Sequence, residues 1–241
     1  MQAPFREAVG DELRPGGLEL TEELAAACGL QSGWRVLDLG CGTGSTAAYL
    51  VRAWGAEVVG LDCSVSRLAE AQARREDVTW VEGQAERIPY ADGFFDVVFA
   101  ECVISTLGDP ERALGEIGRV LRPRGIVAIT DVYLRGPVGD SDGTDWAKVT
   151  TWVERTSANT CLCGAVNEEV TISRLRDAGF SVRVWRDCSH ALKVFIARMI
   201  FSYGSAARFW KAALGDGAPC REAIAAVRPG YFLLVAERVS T

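Results

Sequence analysis

No segment constrains this chain more than Val36-Leu-Asp-Leu-Gly-Cys-Gly-Thr-Gly44. A short β-rich run ends in three glycines within five positions, and a helical pattern begins at Ser45. Glycine serves where a turn needs unusual φ/ψ or where the backbone must come close to a ligand. A strand that turns this sharply into a helix leaves the first N–H groups of that helix free. About twenty residues on, Asp62 closes the next β-rich run, where an acid is placed to accept hydrogen bonds from a ribose diol.

Three readings of the loop compete. One is a tight strand–helix turn that binds nothing. A second is a dinucleotide oxidoreductase, but that motif needs G-x-G-x-x-G and Ser45 occupies its last position. The third starts from the acid ahead of the glycines. A pyrophosphate ligand disfavours a carboxylate at Asp38, whereas a ligand carrying a cationic sulfonium and an amino group tolerates one.

The rest of the chain alternates β-rich and helical runs, the pattern of an α/β parallel sheet. Strands are predicted at Trp34–Leu39, Glu57–Leu61, Val78–Val81, Asp96–Ala100, Ile126–Val132, Phe180–Arg186 and Tyr231–Arg238. Helices are predicted at Leu18–Cys28, Ser45–Trp54, Val65–Arg75, Pro110–Leu121, Trp146–Ala158 and Glu168–Ala178, with a long helical insertion from His190 to Val227. Asp109-Pro110 supplies an N-cap and a proline at the first helical position, and Arg122-Pro-Arg-Gly125 ends that helix. We read residues 1–241 as one domain: an N-terminal cap over 1–32, a ligand-binding core over 33–133, and substrate-side helices with closing strands over 134–241.

Composition excludes several classes. Hydrophobic content of 49% with 24% charged residues is that of a folded globular chain rather than a disordered one. A net charge of −6 argues against nucleic acid as a partner. No apolar run reaches the roughly 18 residues of a membrane span, and the N-terminus lacks an apolar signal core, so a cytoplasmic protein with reduced cysteines is expected. The single histidine, His190, makes histidine-assisted proton transfer unexpected; it reads as a helix-start or core residue.

With these residues in place, the chain resembles the class I S-adenosylmethionine-dependent methyltransferases. Val36–Gly44 looks like their first motif and Asp62 like their ribose-binding acid. Glu82-Gly-Gln-Ala-Glu86, Ile88-Pro89 and Gly93-Phe-Phe-Asp96 follow in the order of their adenine-side loop and fourth strand. Arg119-Val-Leu-Arg-Pro-Arg-Gly125 is similar to the motif that leads into the fifth strand. The resemblance implies a Rossmann-like seven-stranded α/β sheet with helices on both faces, the last strand antiparallel, and a C-terminal helical insertion over the active site.

It also implies roles. Gly40, Cys41 and Gly42 would line the methionine part of S-adenosylmethionine, with Asp38 near its amino group. Asp62 would hold the ribose hydroxyls, Cys63 would pack by the adenine, and Gln84 and Ala85 would meet the adenine edge. Gln84 replaces the acid usual there, and its amide carbonyl can still accept from the adenine amino group. Glu101 would face the cofactor and substrate cleft. Where a base is needed, Glu101 or Tyr133 would supply it, although Glu101 reads better as an acid that only orients the cofactor. The expected reaction is methyl transfer to a small molecule or metalloid, releasing S-adenosylhomocysteine.

Eight cysteines suggest a disulfide or zinc framework, but no Cys-x-x-Cys pair appears and no resident metal is expected. Cys102-Val-Ile, Thr130-Asp-Val-Tyr133 and Thr160-Cys-Leu-Cys-Gly-Ala-Val166 resemble the corresponding stretches of arsenite methyltransferases. On that resemblance Cys102, Cys161 and Cys163 are candidate substrate-side thiols, whose softness suits a metalloid. The sequence departs from that branch at Ser105, where an asparagine is expected, and around Cys220. The rival reading is a non-catalytic, thiol-rich metal- or metalloid-binding protein on the same fold.

Overall fold

The β-rich runs become seven strands of one sheet in a computed structural model, which describes residues 14–74, 77–135, 161–162, 164–214 and 228–239. The strands are β1 (Arg35–Leu39), β2 (Glu57–Asp62), β3 (Thr79–Glu82), β4 (Phe95–Glu101), β5 (Leu121–Leu134), β6 (Phe180–Asp187) and β7 (Pro229–Arg238). Their order across the sheet is β3-β2-β1-β4-β5-β7-β6. β1 to β5 run parallel, and β7 lies antiparallel between β5 and β6. This is the Rossmann-like α/β arrangement anticipated from the motifs. The chain steps from β1 outward to β3 and then returns to place β4 on the other side of β1. That reversal leaves a crevice at the carboxyl ends of β1 and β4, where sheets of this kind bind ligands.

The helices are α1 (Gly17–Cys28), α2 (Ser45–Trp54), α3 (Val65–Arg74), α4 (Pro110–Val120), α5 (Glu168–Asp177), α6 (Ser189–Ser202) and α7 (Ala206–Leu214). Strand alternation splits the core into two layers. Leu37, Val98, Ala100, Ile129, Tyr133 and Phe232 face one side and pack with Leu114 and Ile117 of α4 and Leu175 of α5. Val36, Val97, Phe99, Val132, Tyr231 and Leu233 face the other and pack with Leu20 and Leu24 of α1, Ala47 and Leu50 of α2 and Leu192 of α6.

The predicted N-cap of α4 is present. Asp109 accepts from Arg112 N at 3.0 Å, ahead of Pro110. α2 has no such side-chain cap at Gly44. Its Ala47 N donates instead to Asp38 Oδ2 at 3.1 Å, so the carboxyl group on β1 satisfies one of the helix's free N–H groups.

Two elements differ from expectation. Arg122-Pro-Arg-Gly125 lies inside β5 and does not end α4: the helix stops at Val120 and β5 begins at Leu121 with no turn between them. A break in register between Phe95 and Val97 and a left-handed Arg124 (φ 62°) accommodate the junction. β5 also continues past Val132 to Leu134, which decides where Tyr133 points. The Trp146–Ala158 helix and the end of the insertion near Val227 lie outside the described residues. The described part of that insertion is α6 and α7, and α6 packs on β7. No helix among the described residues is long and apolar enough to cross a membrane.

Candidate active site

The loop after β1 is held by its neighbour strand. Gly40 N and Cys41 N both donate to Leu61 O, at 2.7 and 3.1 Å. Gly42 N donates to Asp62 Oδ2 at 2.9 Å, and Ser64 N donates to Asp62 Oδ1 at 2.8 Å. One carboxylate at the tip of β2 therefore organises both the glycine turn and the start of the next loop. Gly42 has a φ of 56°, and nothing lies within 4 Å of where its Cβ would stand. The turn is thus open on its outer side, as a surface that receives a ligand must be.

The structure brings Asp38, Asp62 and Glu101 to this one end of the sheet. Asp38 is buried at 2% exposure. Burial first, and the Glu101 carboxylate second, push its pKa up to about 8. Glu101 closes β4 and accepts hydrogen bonds from Thr46 Oγ1 at 2.6 Å and Thr21 Oγ1 at 3.0 Å. Arg14 Nη2 lies 3.1 Å from the same carboxylate. Burial is the largest influence on Arg14 and opposes its charge, but Glu101 together with Tyr231, Asp38 and Cys102 outweighs it and holds the guanidinium above its ordinary pKa.

These contacts bear on the two roles considered for Glu101, proton transfer and cofactor orientation. Its carboxylate is enclosed by three donors and 4% exposed, which suits an acid that orients other groups. Tyr133, the other candidate base, stands apart from it. The strand carries it to the face opposite Glu101, where its ring meets Trp185 and Phe232 edge-on at 5.4 and 5.9 Å. Burial raises its pKa, and its hydroxyl bonds to Ser189 beside Asp187. The two candidate bases therefore cannot act on one atom.

The other sequence candidates scatter. Cys41 is buried and its thiol pKa is raised by burial. Cys63 and Gln84 are exposed, and Ala85 is buried. Gln84 forms an isolated antiparallel bridge with Arg87, which shapes the loop after β3. His190 is exposed near the start of α6. Cys163 lies outside the described residues.

Beside Glu101 a second cluster forms. Cys102 has a φ of 57°, a left-handed conformation rare for a residue with a side chain. Its Sγ lies 3.0 Å from the hydroxyl of Tyr231, which also donates to Thr130 Oγ1 at 3.1 Å. The sulfur atoms of Cys102 and Cys161 and a carboxylate oxygen of Asp131 all lie within 4.8 Å of one another. A hydrogen bond to Cys161 and then burial raise the Cys102 pKa well above that of a free thiol. Asp131 is occupied, since it accepts from Ser105 N at 2.9 Å and Val132 N at 2.7 Å. Burial raises its pKa to about 6. The segment carrying Cys161 is pinned by Gly164, where a Cβ would stand 2.4 Å from Ser105 O, and by a hydrogen bond from Leu134 N to Val166 O at 3.0 Å.

Sequence reasoning missed Arg14, Thr21, Thr46, Asp131 and Tyr231. Asp131 lies within the Thr130–Tyr133 stretch but was given no role there; the other four fall in no motif and reach the site by chain folding alone. Only Arg14 left a trace, as a cation beside the turn-forming Pro15-Gly16-Gly17.

Comparison with known proteins agrees with this geometry. Residues 37–129 match the family described as "Methyltransferase domain", an interval that runs from the glycine turn through Asp62 and Cys102 into β5. "Methyltransferase GfsG" of Streptomyces halstedii is 36% identical over 136 residues, which cover 54% of this chain and 49% of that protein. The chain spans about half the length of the curated relatives it matches. Among solved structures, the [4+2]-cyclase SpnF superposes with a TM-score of 0.73 at 26% identity, over 92% of this chain and 82% of SpnF. Phosphoethanolamine N-methyltransferase 2 of Haemonchus contortus, solved with S-adenosyl-L-methionine, superposes with a TM-score of 0.74 at 19% identity, over 98% of this chain and 56% of that one.

Proposed function

We propose that this chain transfers a methyl group from S-adenosylmethionine to a small molecule held in the crevice between β1 and β4. The carrying observation is the open glycine turn organised by Asp62, within the interval that matches a methyltransferase domain. The donor set fits the cofactor. Gly40 to Gly42 offer backbone at close range, Asp62 keeps acceptor capacity for ribose hydroxyls, and Asp38 with Glu101 favours a cationic ligand.

When bound, the cofactor supplies an electrophilic methyl group on its sulfonium. The chain's own contribution is positioning. Its acids balance the cation, and its helices α1 and α2 exclude water from Glu101. The Glu101 carboxylate is taken up by Arg14, Thr21 and Thr46, so an acceptor that already carries a lone pair suits this site.

The test is direct. Purified protein, incubated with the cofactor and candidate acceptors, should form S-adenosylhomocysteine, read by mass spectrometry. Cofactor binding without any such product, whatever the acceptor, would count against methyl transfer. It would favour a reaction that uses the same fold differently, as the name of SpnF illustrates.

Asp38 gives this reading a proton signature. Its raised pKa means that near neutral pH the ligand-free site holds the proton. A bound cation favours the carboxylate, so binding releases that proton below about pH 8 and releases none well above it. We expect release approaching one proton per cofactor between about pH 6 and 7, measured by calorimetry in buffers of different ionisation enthalpy. Heat independent of buffer at pH 7 would contradict it.

The thiol cluster favours a second, finer reading in which the acceptor is a trivalent metalloid. Arsenous acid condenses with two neutral thiols: two S–H and two As–OH bonds break, two S–As bonds form, and two waters leave. The high pKa of Cys102 does not oppose this, because each thiol proton departs in water. Arsenite should then raise the melting temperature of the wild type by several degrees, and Cys161→Ser should abolish the rise. A shift that survives Cys161→Ser would remove the metalloid from this site.

A further inference from the structure

No acidic residue stands between Asp187 and Asp216, a stretch that contains α6 and α7 and carries Lys193, Arg198, Arg208 and Lys211. The chain as a whole has a net charge of −6, so this stretch is a local cationic exception. Asp187, the nearest acid before α6, is engaged at the helix start, where Ser189 N donates to its Oδ1 at 2.7 Å. Lys193, Arg198 and Arg208 are exposed and have no ion-pair partner among the described residues.

The cations of α6 share one face with its exposed apolar residues. The helix buries Leu192 and Met199 and packs on β7. Successive residues of a helix turn by about 100°. Lys193, Ala197, Phe201, Val194 and Arg198, all exposed, then follow one another around the axis within about 140° of arc, opposite Leu192 and Met199. Phe201 is 88% exposed and Val194 36%. The centre of the face is therefore apolar, and a long cationic side chain flanks it on either side. Arg208, near the start of α7, adds a third cation just past the turn that follows Phe201.

A face of this kind suits an acidic protein or an anionic bilayer. A protein partner needs a pocket shaped to Phe201 and a desolvated core, from which lysine is depleted. A bilayer needs no shape match: the ring enters the boundary between headgroups and acyl chains, and the flanking stems reach back to the phosphates. We propose that the exposed face of α6 docks this protein on an anionic lipid surface. Val194, Ala197 and Phe201 enter the interface, and Lys193, Arg198 and Arg208 meet the headgroup phosphates. The attachment is peripheral, since no described helix is long and apolar enough to cross a membrane. Leu192 packs in the same core layer as α1 and α2, so docking turns that side of the sheet toward the lipid. Attachment is independent of the reaction performed in the crevice.

Flotation of the full 241-residue chain with vesicles tests this. Phosphatidylcholine vesicles containing about one third phosphatidylglycerol should bind the wild type on the order of 100-fold more tightly than phosphatidylcholine alone, since each of three cations contributes roughly fivefold. Phe201→Ser should weaken binding to the anionic vesicles on the order of 10-fold. Lys193→Glu combined with Arg198→Glu should abolish the preference for anionic lipid. All three side chains are exposed, so the circular dichroism of these variants should match the wild type. Wild type without a preference for anionic vesicles would overturn the proposal. So would anionic binding that Phe201→Ser leaves unchanged, or that the double charge reversal leaves unchanged. Capture by poly-glutamate in solution without binding to vesicles would assign the face to an acidic protein and overturn the lipid as well.

Discussion

Asp62→Ala should weaken S-adenosylmethionine binding on the order of 100-fold, read by calorimetry on protein whose circular dichroism is unchanged. The carboxylate does three things at once. It receives Gly42 N, it receives Ser64 N, and it retains acceptor capacity for a ribose hydroxyl. Alanine removes all three, and leaves two backbone donors without partners in a site where Asp62 is 4% exposed. An unmade hydrogen bond of this kind costs roughly 1–3 kcal/mol, and a lost one to a charged group costs about the same. Part of that cost falls on the free protein, as a loosened turn and a lower melting temperature. The remainder falls on binding, and about 2.7 kcal/mol is a factor of roughly 100. Asp62→Asn keeps one carbonyl and should lose less. Affinity unchanged in Asp62→Ala would place the cofactor elsewhere.

Gly44→Ala should lower stability by about 2–4 kcal/mol, through two independent costs. Gly44 has a φ of 82°, which for an alanine costs on the order of 1–2 kcal/mol. Its added Cβ would also stand 2.3 Å from Cη2 of Trp80. The same six-membered ring of the indole also covers Gly60, where a Cβ would lie 2.4 Å from Cζ3, so the ring is packed over both glycines. The expected fall in melting temperature is about 5–15 °C, with loss of cofactor binding as the turn deforms. Gly29→Ala is the internal control. It shares a positive φ of 63° but has nothing within 4 Å of the new Cβ, so only the conformational cost applies. Equal melting temperatures for the two variants would show that Trp80 does not lock the turn.

These two glycines show how much was legible beforehand. Gly44 was marked by its motif. Gly60 lies in the middle of β2 and carried no signal, since its need is set by a tryptophan on the next strand. The strands and helices around the turn were readable because each follows a local period of apolar residues. Their ends were less so, and one end mattered. With β5 stopping at Val132, Tyr133 would sit in a loop at the mouth of the crevice. Two further residues of pairing with β7, Tyr133 to Gly230 and Leu134 to Pro229, impose strand alternation and turn the phenol to the far face.

Cys102 is the converse case. Alternation would send the residue after Glu101 to the opposite face. Its left-handed backbone accompanies a thiol that meets Tyr231, on the side where Glu101 meets α1 and α2. Nothing in Ala-Glu-Cys-Val announces that conformation.

The sequence by itself determined the glycine turn, the acid at the end of β2 and the α/β alternation, because backbone dihedral needs and apolar periodicity act over a few residues. Only the tertiary structure decided what surrounds Glu101, which thiol meets which carboxylate, and which cation enters the crevice. Thr21 reaches Glu101 across 80 residues of chain, and Tyr231 reaches Cys102 across 129. Such contacts depend on the direction each side chain takes from its strand or helix, and a shift of one residue in register reverses that direction.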